Sequence, residues 1–252
     1  MARGRHRAVG DRGVVSTALL GIAGHGADER SLAGQICRAC IEGLDIDGAS
    51  ISLLTASVAR ETLFTSDATA SLLEELQFSL GEGPCMQAAV SGRAVMVSDL
   101  CDGVETASWP AFAAAVVEQT GVRALFVVPL QWGVVNLGVL DLYRAEPGGL
   151  SQEQSRDLID AANLAALMML ELRTDPDDPP GPHLSDAPWL DPTLGTHTQI
   201  HQATGMVLAQ LDIDATDALA RLRAHAFSHQ RSLHDVADDV IARRLIFTSE
   251  MR

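Results

Sequence analysis

The chain has 252 residues with 18 basic and 33 acidic side chains, a formal charge of −15, and all of its basic residues are Arg. That balance excludes a nucleic-acid-coating role for the molecule as a whole, because nonspecific polyanion affinity comes from basic charge at the contact face. The length suits two domains or one large one, and the absence of a leader pattern or of an apolar run of membrane-spanning length leads us to expect a cytoplasmic protein.

The charge is uneven. Residues 13–173 hold 8 Arg against 20 acids, residues 176–196 hold four Asp and no base, and residues 197–252 hold 6 Arg against 7 acids with five His. The C-terminal piece is thus near neutral and leaves room for a local basic face. Of the four Cys, at 37, 40, 85 and 101, the Cys37-x-x-Cys40 pair falls inside an amphipathic helix and reads as two core thiols in preference to a redox or metal pair.

In chain order, residues 1–27 are Arg- and Gly-rich and then small and polar, and are expected to form a flexible arm. The spacing of Leu32, Ile36, Ala39, Cys40 and Gly43 predicts a helix from Asp28 to Leu44. A strand follows from Gly48 to Ser57, with Arg60 to Thr65 pairing back on it. Ser71 and Glu74 have capping-box spacing for a short helix through Phe78, and Pro84 can open another after the paired glycines Gly81 and Gly83. Ala94 to Val97 reads as a strand and Pro110 to Gln119 as a helix. The runs Val122 to Leu130 and Gly133 to Tyr143 predict a buried central hairpin with its turn at Gln131 and Trp132. Ser151 and Gln154 then cap a long helix through Leu170.

This order gives an antiparallel sheet with helices packed on its faces. Residues 28–172, through "GEGPCMQAAVSGRAVMVSD" and "RALFVVPLQWGVVNLGVLDLY", resemble a GAF domain. The resemblance implies a sensor of a small-molecule or protein signal, with a pocket between sheet and helices. Cys85, Met86, Trp109, Phe112, Phe126 and Tyr143 are the candidate lining groups. No His lies between His25 and His183, which excludes His-ligated haem in the sheet domain, and no cofactor is expected.

Residues 173–195 form a linker in which six Pro prevent a continuous helix. Three amphipathic helices follow in residues 196–246, with a tail at 247–252. Ile200, Ala203, Met206 and Val207 mark the first helix, and Ala218, Leu219, Leu222 and Ala226 the second. The third carries Leu233, Val236, Ala237, Val240, Ile241 and Leu245. Asp214 with Asp217 and Ser232 with Asp235 supply an N-cap acceptor and a first-turn charge to the second and third helices, and Arg243 and Arg244 are placed in the last turn of the third. So small a bundle is expected to dimerise or to dock on the preceding domain.

The Gln202-Ala203-x-Gly205 step, Asp217-Ala218-Leu219 with Leu222-Arg223 and Ala226, and Leu233-x-Asp235-Val236-Ala237 resemble an ANTAR domain, the small helical RNA-binding module of bacterial antitermination regulators. The whole chain is thus expected to be α+β: a GAF domain followed by an all-α three-helix ANTAR domain.

The resemblance implies recognition of structured RNA hairpins by a homodimer. His201, Thr204, Gly205, Arg223, Arg231, Arg243 and Arg244 are the candidate contacts, since guanidinium groups suit phosphates and splayed bases. Thr204, Asp238 and Asp239 depart from the family pattern, and the two Asp bring negative charge to the third helix. A protein-interaction adaptor that has lost RNA binding is therefore the alternative. No nucleophile and base recur at a telling spacing, so an enzyme is not expected. His225 and His229 lie four apart, but no Cys or Glu in the C-terminal helices completes a metal set, so none is expected there.

Overall fold

The computed structural model describes residues 13–22, 28–54, 60–133, 135–173 and 197–248. The expected linker beyond Arg173, which is the last residue of a helix, residues 55–57 of the expected first strand, the first twelve residues and the last four lie outside the described residues.

Five strands, β1 (Gly48–Leu54), β2 (Arg60–Thr65), β3 (Val95–Val97), β4 (Ala124–Trp132) and β5 (Val135–Arg144), form one antiparallel sheet in the order β2-β1-β5-β4-β3. Alternation along each strand divides its residues between two cores. Ile51, Leu53, Phe126, Val128, Leu130, Leu140 and Leu142 face a layer built from α1 (Val14–Ile22), α2 (Glu29–Leu44) and α6 (Gln152–Arg173). On the opposite face Leu125 and Tyr143 pack with α3 (Ala68–Leu80) and α5 (Pro110–Gln119), while Val127 and Val139 pack with α4 (Pro84–Ser91).

Three local expectations are corrected. The central hairpin pairs on to Trp132↔Val135, past the expected turn, and the chain reverses with Gly133 at φ 61°. Helix α3 starts earlier than its expected capping box: Asp67 is the N-cap and accepts from the Ala70 amide, which leaves Glu74 to turn inward. The N-terminal stretch expected to be a flexible arm contains α1, fixed by a side chain far along the sequence. Asp157 of α6 accepts from the amides of Val15 and Ser16 at 2.8 and 3.0 Å and from the Ser16 hydroxyl at 2.7 Å, so a buried carboxylate caps the first turn. Asp157→Ala should lower stability by about 2 kcal/mol and expose residues 14–22 first, which denaturant midpoints and amide exchange would measure.

The expected caps of α6 form reciprocally: the Ser151 amide donates to Gln154 Oε1 and the Gln154 amide to Ser151 Oγ. At the C-terminal end stand α7 (Thr198–Leu211), α8 (Ala215–Ser228) and α9 (Leu233–Ile241), with Asp214 and Ser232 capping α8 and α9. Helix α9 ends at Ile241, short of the expected Leu245, because Arg243 takes a left-handed φ of 56°. Arg243 and Arg244 therefore lie beyond the helix. Among the described residues no helix is long and apolar enough to cross a membrane.

Candidate functional site

Helix α3 is the element on which the two halves meet. At about 100° per residue, Glu74 and Glu75 diverge around it. Glu74 turns to the sheet and accepts from the hydroxyls of Ser50 and Ser52, each at 2.7 Å. Phe78, one turn later, inserts into the core of the C-terminal helices with Ile200, Ala203, Val207, Leu219 and Leu222.

Of the candidate RNA contacts, Arg223 and His201 lie at this junction, while Arg231 and Arg244 meet where α8 and α9 end. Arg223 lies at the junction: its Nε and Nη2 donate to the Phe78 carbonyl at 3.0 and 2.7 Å, satisfying an acceptor at the end of α3, and its guanidinium carbon sits 5.3 Å from the ring centre. Gly81 gives it room, since a Cβ there would come within 2.9 Å of Nη1. His201 also faces Phe78, edge-on at 6.1 Å, and its burial lowers its pKa, which favours the neutral ring. Thr204 is buried, with its hydroxyl bonded back to the Ile200 carbonyl at 2.7 Å. Gly205 is exposed, with no atom near where a side chain would start.

Arg231 and Arg244 converge. Each follows a left-handed residue, Gln230 or Arg243, and each amide bonds back to a carbonyl five residues earlier, Ala226 or Asp239, so matching turns end α8 and α9. Arg231 Nη2 then lies 2.7 Å from Asp239 Oδ2 and Arg244 Nε 2.6 Å from Asp239 Oδ1. Asp239 therefore organises two guanidinium groups, and the trio carries one net positive charge. Hydrogen bonds from Arg244 and then Arg231 hold its carboxyl below the usual range, so the pairing persists at neutral pH and is lost only as pH falls through that lowered value. Beside this corner Phe227 is 74% exposed, and the His225 and His229 rings stack at 4.0 Å. The His225 pKa is lowered by burial and by the neighbouring His229 and Arg231.

On the sensor side, a cavity of about 10 Å³, room for about one water, lies between α3, α4 and the sheet. Ser50, Gln77, Asp141 and Tyr143 supply its polar lining, and Gln77 Oε1 also accepts from the Cys85 amide at the start of α4. Of the six candidate lining groups only Tyr143 reaches this cavity. Its hydroxyl donates to Asp67 at 3.0 Å, and burial pushes its pKa up to about 12. Cys85, with Met86 against it, packs on Val127 and Val139. Trp109 and Phe112 fill the core beside α5, with Trp109 Nε1 donating to Gln87. Phe126 lies on the far face of the sheet, because its place in β4 has the opposite parity to Leu125 and Val127.

Sequence reasoning missed Glu74, Asp141 and Phe78. The Ser50-x-Ser52 alternation was the available signal for the first: two hydroxyls on the inner face of a strand require a buried acceptor. Cys37 and Cys40 both face the core, where burial raises the Cys37 pKa and pushes that of Cys40 to about 12.

Residues 26–169 match the GAF domain family and residues 190–241 match the ANTAR domain family. No curated protein matches the chain. Among solved structures it is similar to the GAF domain of a phosphoenolpyruvate-protein phosphotransferase from Coxiella burnetii, at 12% identity over 63% of this chain and 92% of that one, with a TM-score of 0.52. It is also similar to the free methionine-R-sulfoxide reductase of Neisseria meningitidis, at 16% identity over 64% and 88% of the two chains, with a TM-score of 0.46. At 12% identity the first likeness is one of fold alone. GAF domains are associated with signal sensing and ANTAR domains with RNA-binding antitermination regulators. The chain belongs to the GAF domain family and carries a C-terminal ANTAR domain.

Proposed function

We propose that this protein is a signal-responsive transcription antitermination regulator, in which the GAF domain governs how the ANTAR helices meet structured RNA. The observation that carries the reading is the division of the Arg side chains: Arg231 and Arg244 converge at an exposed corner, while Arg223 is held on the Phe78 carbonyl. The protein works in the cytoplasm as a homodimer on nascent transcripts. The signal acts through α3, whose inner face lines the cavity and whose Phe78 anchors the helices.

Mobility-shift titration with leader RNAs containing two hairpins tests this reading. Binding should be salt-sensitive, and the double variant Arg231→Ala with Arg244→Ala should weaken it about tenfold or more and flatten the salt dependence by about one unit of slope per lost phosphate contact. Wild-type protein that binds none of these RNAs in a salt-dependent way would overturn it.

A second reading, a sensor-adaptor that has lost RNA binding, is favoured by the burial of Thr204 and by the turning of His201 and Arg223 towards α3. It predicts no RNA affinity even when the two domains are separated.

A further inference from the structure

Glu75 of α3, His197 at the start of α7 and His234 of α9 meet across the domain junction, with one ligating atom of each within 4.8 Å of the others. His197 Nδ1 lies 3.6 Å from Glu75 Oε2, and His234 Nδ1 lies 3.5 Å from Glu75 Oε1. Both separations are longer than an ordinary N–H···O hydrogen bond. Each is close to the edge of a tetrahedron, about 3.3–3.4 Å for ligands about 2.0–2.1 Å from a zinc ion, with the two His directed at different oxygens of one carboxylate.

The donors are held in place. The His197 ring is 2% exposed and lies flat on Phe78, with centroids 3.7 Å apart and planes 1° from parallel. The Glu75 carboxylate is oriented by the Ser79 hydroxyl, which donates to Oε1 at 2.5 Å, an outer contact of the kind that fixes a metal-binding carboxylate. Glu75 and His234 are each about one-third exposed, which gives an ion a route in and leaves room for water on its remaining positions. Two imidazoles with one carboxylate select ions of the zinc class over Mg²⁺ or Ca²⁺, which take oxygen ligands. The other close His pair differs: His229 Nδ1 is directed at the His225 carbonyl, and no acid joins the two in a cluster among the described residues.

We propose that Glu75, His197 and His234 form a binding site for a divalent cation of the zinc class, and that the ion fastens the ANTAR helices to α3. One ligand comes from the sensor and two from the helices, so the ion bridges the contact that also holds Arg223. The site stands independently of the RNA reading, because its ligands and its readouts lie within the protein.

Full-length protein freed of metal with a chelator would be titrated with Zn²⁺ by calorimetry and with Co²⁺ by visible absorption. One ion per chain is expected, and Glu75→Gln and His234→Asn should each weaken binding by more than about tenfold, with His229→Asn unchanged. His197 is left intact because its buried ring also packs the junction. Spin labels on the exposed native Cys101 and on a cysteine introduced by Ala209→Cys, at an exposed position of α7, would report the interdomain distance, the other three thiols being buried. Its distribution should narrow on adding Zn²⁺ and should stay unchanged in the His234→Asn background. Affinity unaltered in both ligand variants would overturn the site, and saturation without any change in the distance would overturn the fastening.

Discussion

Replacing Phe78 by alanine will detach the ANTAR helices while leaving the GAF domain folded. The ring is 4% exposed, yet it is buried among residues of the helical bundle and belongs to neither core of the sheet. It stacks on His197, meets His201 edge-on and lies beneath Arg223. Truncating a buried Phe costs about 3–5 kcal/mol, and here that loss falls on docking and on the bundle. Calorimetry should resolve an early transition for α7–α9 from a later one for the sheet domain. Phe78→Leu, which keeps most of the volume, should sit between the variant and the wild type. In the proposed function the alanine variant also binds leader RNA more tightly, because Arg223 is released. A single unfolding transition at the wild-type temperature would show that the ring does not hold the halves together.

Gly138→Ala should destabilise the GAF domain by about 3 kcal/mol or more, beyond the usual range for overpacking. Gly138 pairs with Leu53 across β5 and β1, and a Cβ there would lie 2.1 Å from the Ser52 carbonyl oxygen and 3.0 Å from the Leu53 Cα. Both atoms are backbone of the neighbouring strand, so no side chain can swing aside and the ladder itself must part. Urea unfolding should show a lower midpoint at unchanged slope. Gly103→Ala, where nothing lies within 4 Å of the added carbon, is the matched control and should be near neutral.

Local chemistry made much of this molecule legible in sequence. Ser151 with Gln154, Asp214 with Asp217 and Ser232 with Asp235 are short-range pairs, and each forms the cap that its spacing implies. The β4–β5 hairpin was legible as two apolar runs, although its turn lies beyond the expected one because pairing continues through Gln131 and Trp132. The end of α9 was hidden for a different reason. Arg243 adopts the left-handed conformation usually given to Gly, so nothing in its identity marks a stop.

The candidate sites were less legible, because their partners are distant in sequence. Arg223 meets Phe78, and Glu75 meets His197 and His234, across the segment that joins the domains. Of the three groups in that cluster the C-terminal helices supply only the two His, and the carboxylate comes from α3. Sequence alone presents Asp239 as a repulsive charge, whereas the two turns that end α8 and α9 bring a guanidinium to each of its oxygens.

The aromatic ring that α3 lends to the bundle limits how freely the halves can be recombined. A chimera that joins these ANTAR helices to an unrelated sensor would leave a ring-sized void in the bundle unless the donor helix offers an equivalent side chain. The reciprocal chimera would carry an unmatched Phe on its surface, an adhesive spot for self-association. Exchange at this boundary succeeds only when α3 travels with the helices that enclose its ring.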